Sequence, residues 1–183
     1  MSGPGDGQGA VPLIVTALFG DADFAWLDGL RRAHFPPDRN VLRAHLTLLH
    51  HLPQSIEREL AAHIRTETQE SAPRATLAGV MNLGRGVAFR VHSPELDAIR
   101  AGIADRFRSL LIPQDKAGWR SHVTVQNKVE PHVASALLNQ LEAGFAPRPL
   151  DIAGLAIWHF LGGPWRLAGA WRFGSGHPMR APG

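Results

Sequence analysis

Arg43-Ala44-His45-Leu46-Thr47-Leu48 and Arg120-Ser121-His122-Val123-Thr124-Val125 are two copies of one pattern, R-x-H-φ-T-φ with φ aliphatic, set 77 positions apart. Imidazole titrates near neutrality, so one ring can accept a proton while the other donates one at the same pH. Threonine hydroxyls donate hydrogen bonds to anionic oxygens, and Arg or Lys offsets the charge of such a group. Neither copy contains a carboxylate, so the group they serve is an anion. An acid, a base and an anion clamp together describe cleavage of a phosphodiester without a metal. In a chain with ten histidines a lone H-x-T carries little weight; the repeated arginine and the shared aliphatic pattern give the pair its force.

Strands are the elements that would position these groups. Both copies lie in apolar runs, 41–52 and 119–129, each closed by a proline and followed by a helical pattern. In a strand, residues i and i+2 share a face. Arg43, His45, Thr47, Leu49 and His51 then form one file, and Arg120, His122, Thr124, Gln126 and Lys128 form the matching one. Leu46, Leu48, Val123 and Val125 point the other way, into helices. A polar file backed by an apolar file is what a strand shows when one side lines a cleft. His51 and Lys128, each six positions past its His, would flank the phosphate, with Arg43 and Arg120 as the nearer cations. Stacking of a nucleobase needs an aromatic beside the cleft; Phe19, ending the first apolar run, and Phe89 are the candidates.

The rest of the chain alternates strand and helix patterns. Residues 12–19 read as a buried strand and 22–34 as a helix capped by Asp21. A helix follows from Ser55 to about residue 69. Strands over 75–83 and 86–92 enclose a Gly-Arg-Gly hairpin, and Ser93-Pro94 starts a helix with a cap and then proline. Pro131 opens another helix, and strands over 150–161 and 165–173 are joined by a Gly-Gly-Pro turn. The order β-α-β-α-β-β-α-β-α-β-β indicates an α/β or α+β sandwich over residues 11–173. The Gly-rich ends, 1–10 and 174–183, read as loose tails.

Composition bounds the chemistry. The 183 residues include no Cys, which excludes disulfides, thiolate nucleophiles, iron–sulfur clusters and cysteine-bearing zinc sites. Of 19 basic residues only Lys116 and Lys128 are lysines, and the net charge of +3 is too small for a nucleic-acid-coating surface. With 44% hydrophobic residues the chain can bury a real core. Val11–Phe19 is too short to span a membrane and lacks a basic lead-in, so a cytoplasmic protein is expected, with no membrane contact and no obligate protein partner.

The paired H-x-T-φ segments, His45–Leu48 and His122–Val125, resemble the signature of the 2H phosphoesterase superfamily, in its 2'-5' RNA ligase-like, RNA 2',3'-cyclic phosphodiesterase branch. The element order is similar to that family from about residue 11 to 173, and so is the hairpin around Pro164-Trp165-Arg166. The resemblance implies two pseudosymmetric lobes facing each other across a cleft, and no cofactor. It implies opening of 2',3'-cyclic phosphates, at RNA ends or on small cyclic nucleotides, to 2'-phosphates, and in reverse 2'-5' ligation. His45 would protonate the departing 3'-oxygen, His122 would activate water, and Thr47 and Thr124 would hold the phosphate. Some members carry a basic residue five positions after the second His; that position is Asn127 here, with the cation at Lys128.

Two other readings fit parts of the sequence. One is an RNA- or nucleotide-binding module that keeps the cleft without turnover. The other is a metal-dependent hydrolase using His50, His51 and His159, for which spacing supplies no carboxylate ligands.

Overall fold

The computed structural model describes residues 11–181. The apolar run LIVTALF forms β1 (Leu13–Phe19), buried along its whole length. The chain continues through α1 (Asp21–His34), β2 (Leu46–Leu52), α2 (Glu57–Glu67), β3 (Ala75–Asn82), β4 (Val87–His92) and α3 (Pro94–Arg106). It then forms a single helical turn, α4 (Pro113–Lys116), β5 (His122–Gln126), α5 (Pro131–Ala143), a short β6 (Arg148–Leu150), β7 (Ile152–Phe160) and β8 (Trp165–Arg172).

The strands make two four-stranded antiparallel sheets, ordered β2-β1-β7-β8 and β5-β4-β3-β6. The second H-x-T segment therefore lies on an edge strand of one sheet, and the first enters the edge strand of the other at Leu46, with His45 just before it. Leu46, Leu48, Val123 and Val125 are fully buried and share one core with Leu27, Leu60, Leu96 and Leu137, which helices α1, α2, α3 and α5 supply. Burying each such side chain stabilises the fold by about 1.5–3 kcal/mol. Ser93 caps α3 by accepting the Leu96 amide at 3.1 Å, with Pro94 in the first turn as the sequence predicts.

Several expected boundaries move, each for a local reason. Residues 41–45 are not strand. Arg31 of α1 donates to the Leu42 carbonyl at 2.9 Å, and the Asp28 carboxylate accepts the Ala44 amide at 2.9 Å. Side chains from α1 thus take the backbone groups that a partner strand would otherwise satisfy. On the other side β5 ends at Gln126, because Lys128 adopts φ 61 and the Asn127 side chain accepts its amide. The expected strand over 150–161 is two strands, β6 on β3 and β7 on β1. The break is at Asp151, whose amide donates to Asp23 and whose carbonyl accepts the Gly20 amide. Helix α1 starts one residue earlier than expected, with Gly20 rather than Asp21 at the cap. Residues 174–179 pack back: Gly174 donates to the Glu70 carbonyl, Gly176 to that of Thr68 and Met179 to that of Ala170. The expected tail over 1–10 lies outside the described residues.

Candidate active site

The two edge strands face each other, and α1 locks them together. Arg31, only 4% exposed, donates to Asn40, to the Leu42 carbonyl before His45 and to the Thr124 carbonyl in the second motif. Its guanidinium lies 4.2 Å over the Phe35 ring, and burial lowers its pKa to about 10 against the opposing pull of Asp28. It stays charged at pH 7, a buried cation behind both motifs.

Each motif carries a β-bulge at the same place. Leu48 is the extra residue between Thr47 and Leu49 opposite β1, and Val125 is the extra residue between Thr124 and Gln126 opposite β4. A bulge bends the strand and re-aims the residues after it. The outward carbonyls on the first bulge are covered: Trp119 donates to the Thr47 carbonyl at 3.1 Å and Arg100 to that of Leu48 at 3.3 Å. The strict i, i+2 file predicted from the sequence ends at each bulge. Leu49 and Gln126, expected on the polar face, are buried.

Between the strands lies a cleft of about 370 Å³ lined by His45, Thr47, His122, Thr124, Arg120 and His50, with Gln114, Asp115, Gly118, Trp119 and Trp165 around them. The two motif histidines are held identically: His45 Nδ1 lies 2.7 Å from the Arg43 carbonyl, and His122 Nδ1 lies 2.7 Å from the Arg120 carbonyl. A carbonyl can only accept, so Nδ1 carries hydrogen in both rings and Nε2 is left for the cleft. Burial lowers the His45 imidazole to about 4; the bond to the Arg43 carbonyl opposes this shift, and Arg31, His122 and His50 reinforce it. His45 is therefore neutral at pH 7. The Trp165 ring packs 4.7 Å from it.

The remaining predicted site residues divide. Arg120 is exposed, lines the cleft and has no ion-pair partner among the described residues. Arg43 instead bonds Asp28 at 2.8 Å and lies over Phe24, which fixes the entry to His45. His51 and Lys128 do not line the cleft. The bulge turns His51 out to solvent and brings His50 in, and the positive φ of Lys128 takes it past the end of β5. Phe19 and Phe89 do not line this cleft: Phe89 is buried between Trp26 and Phe145, and Phe19, 3% exposed, reaches only the wall of an adjoining apolar pocket. Among the described residues no three His, Asp or Glu side chains gather into a metal-holding group; His50 bonds Asp115 and His159 bonds Glu57.

Sequence reasoning missed three contributors. Asp115, on the four-residue α4, is 65 positions from His50, and only Pro113 marks its turn as helical. Trp165, at the start of β8, forms one wall. A second, apolar pocket of about 250 Å³ adjoins the cleft at His45 and Trp165, lined by Phe24, Val41, Leu42 and Trp158 among others.

The comparisons agree with this geometry. Residues 19–164 match the family model described as the 2'-5' RNA ligase superfamily. Among curated proteins no sequence matches. The fold is similar to TT0787 of Thermus thermophilus, with a TM-score of 0.62 and 16% identity over 91% of this chain and 100% of that one. It is also similar to E. coli LigT crystallised with 3'-AMP, with a TM-score of 0.54 and 17% identity over 90% and 99% of the two chains. With its two H-x-T strands facing across a cleft and the family model spanning most of its length, the chain belongs to the 2'-5' RNA ligase superfamily of 2H phosphoesterases.

Proposed function

We propose that the protein opens 2',3'-cyclic phosphates, on RNA ends or small nucleotides, to 2'-phosphates. The observation that carries this reading is the matched pair of imidazoles, each with Nδ1 tied to the carbonyl two residues back and Nε2 left to the same cleft. Thr47, Thr124 and Arg120 hold the non-bridging oxygens. His122 takes a proton from water as its oxygen attacks phosphorus. The bond from phosphorus to O3' breaks, and His45 delivers a proton to O3', leaving a 3'-hydroxyl and a 2'-phosphomonoester.

His45 is neutral before substrate arrives, yet this role needs a proton on it. The negative charge of the phosphodiester opposes the neighbouring cations and favours imidazolium, so the acid is loaded together with the substrate. The adjoining apolar pocket supports a nucleotide as substrate, since it offers Phe24 and Trp158 to a base beside the reacting phosphate.

The test is incubation with adenosine 2',3'-cyclic phosphate in EDTA, with the product phosphate located by ³¹P NMR. The 2'-monophosphate is expected. A 3'-monophosphate, or loss of activity in EDTA, contradicts the mechanism, and tight product binding with no hydrolysis in enzyme excess supports a binding module instead.

A further inference from the structure

The cleft has a polar arm that the acid, base and phosphate clamp do not use. It is built around His50, which stands five positions past His45, where the second motif has Asn127. His50 Nδ1 lies 2.8 Å from Asp115 Oδ1, and the same carboxylate accepts the His50 amide at 3.0 Å and the His51 amide at 3.1 Å. Asp115 is 2% exposed. Burial alone would raise its carboxyl, but the hydrogen bonds from His50 and the His51 amide outweigh it and hold the pKa below its ordinary value. Arg100 fixes α4 from behind by donating to the Asp115 carbonyl at 2.5 Å. The ring is thereby set in one tautomer and one orientation, as a carboxylate sets a catalytic or metal-binding histidine. His50 Nε2 has no protein partner among the described residues, and the side chain is 38% exposed on the cleft wall with Gln114, Trp119 and Arg120.

A buried carboxylate bound by two backbone amides is more support than a surface histidine needs. It makes sense for a side chain that must meet a ligand in one geometry. The reacting phosphate already has two hydroxyls, Arg120 and two imidazoles. The apolar pocket and the polar arm share only His45 and Trp165, so a nucleotide whose base enters the first leaves the second to another polar group.

We infer that His50, held by Asp115, binds a second phosphate of the substrate, carried on the 5'-oxygen of the nucleotide whose cyclic phosphate reacts; the donor is Nε2–H of the imidazolium, since a ring with hydrogen on Nδ1 alone offers only a lone pair there. This rests on the nucleotide reading given above and narrows it. The preferred substrates are then RNA ends and 5'-phosphorylated nucleotides, and bare nucleoside cyclic phosphates are poorer. His50 is a specificity-determining residue and takes no part in the proton transfers.

The test compares binding of adenosine 2'-monophosphate and adenosine 2',5'-bisphosphate to the full chain by calorimetry. The wild-type protein is expected to bind the bisphosphate about tenfold more tightly, as one charge-assisted hydrogen bond supplies. His50→Gln should abolish that preference, and His50→Lys should retain most of it. An equal preference in wild type and His50→Gln overturns the inference, and so does an equal loss for both ligands. Failure of the wild-type protein to open cyclic phosphates would count against hydrolysis and leave this binding comparison standing.

Discussion

At the scale of single residues, the consequential feature is the lowered His45. Its pKa of about 4 must rise when an anion binds beside it. Binding of adenosine 2'-monophosphate at pH 6 is therefore expected to take up a proton. Calorimetry in two buffers of different ionisation enthalpy measures that uptake, and His45→Gln should remove it. The same shift has a stability consequence. Between about pH 6.5 and pH 4 the unfolded chain binds a proton at His45 that the folded chain does not. Stability due to this site is therefore full above about pH 6.5 and is lost as pH falls toward 4. The urea midpoint of the wild-type protein should drop more between pH 7 and pH 4.5 than that of His45→Gln; an equal drop contradicts the shift.

At the scale of elements, the bulges at Leu48 and Val125 decide what enters the cleft. Gly86 protects the second one. A methyl group there would overlap the Gln126 carbonyl oxygen and crowd the Asn127 Cα, both backbone atoms that cannot swing aside. Gly86→Ala is expected to cost about 1–3 kcal/mol and to lower kcat, because β5 must move with Thr124 on it. Thermal unfolding together with kinetics checks this, and unchanged values for both would show that β5 tolerates the shift. These elements also show what the sequence made legible. Thr47, His122 and Thr124 could be read because strand geometry puts i and i+2 on one face; His45, one residue before β2, lines the same cleft although residues 41–45 are not strand. The choice of His51 over His50 failed because a bulge is a property of two paired strands, and no spacing within 41–52 reveals it. Asp115 was unreadable for a different reason: it meets His50 only through tertiary packing of a four-residue turn. The single strand expected over 150–161 broke at Asp151 because Asp23, far away in sequence, takes its amide.

At the scale of the molecule, the lobes come together through α1. This helix follows β1 of one sheet, yet Arg31 on it binds the Thr124 carbonyl on β5 of the other. Arg31→Met removes the hydrogen bonds to the half-buried Leu42 and Thr124 carbonyls, at about 1 kcal/mol for each. It also removes a positive charge that helps to depress His45. A lower urea midpoint is expected, together with an acidic limb of the kcat/KM profile that moves up from about pH 4. A limb that stays in place would remove Arg31 from the electrostatics of the site and leave it a structural tie. The account as a whole stands on the two imidazoles acting as one unit across the two sheets. The most direct test is the single-turnover rate of adenosine 2',3'-cyclic phosphate opening in enzyme excess, for wild type, His45→Gln, His122→Gln and the double variant. Each single change is predicted to lower the rate by about 10²–10⁴-fold, and the double variant should be little slower than either. A wild-type rate in either single variant would contradict paired acid–base catalysis.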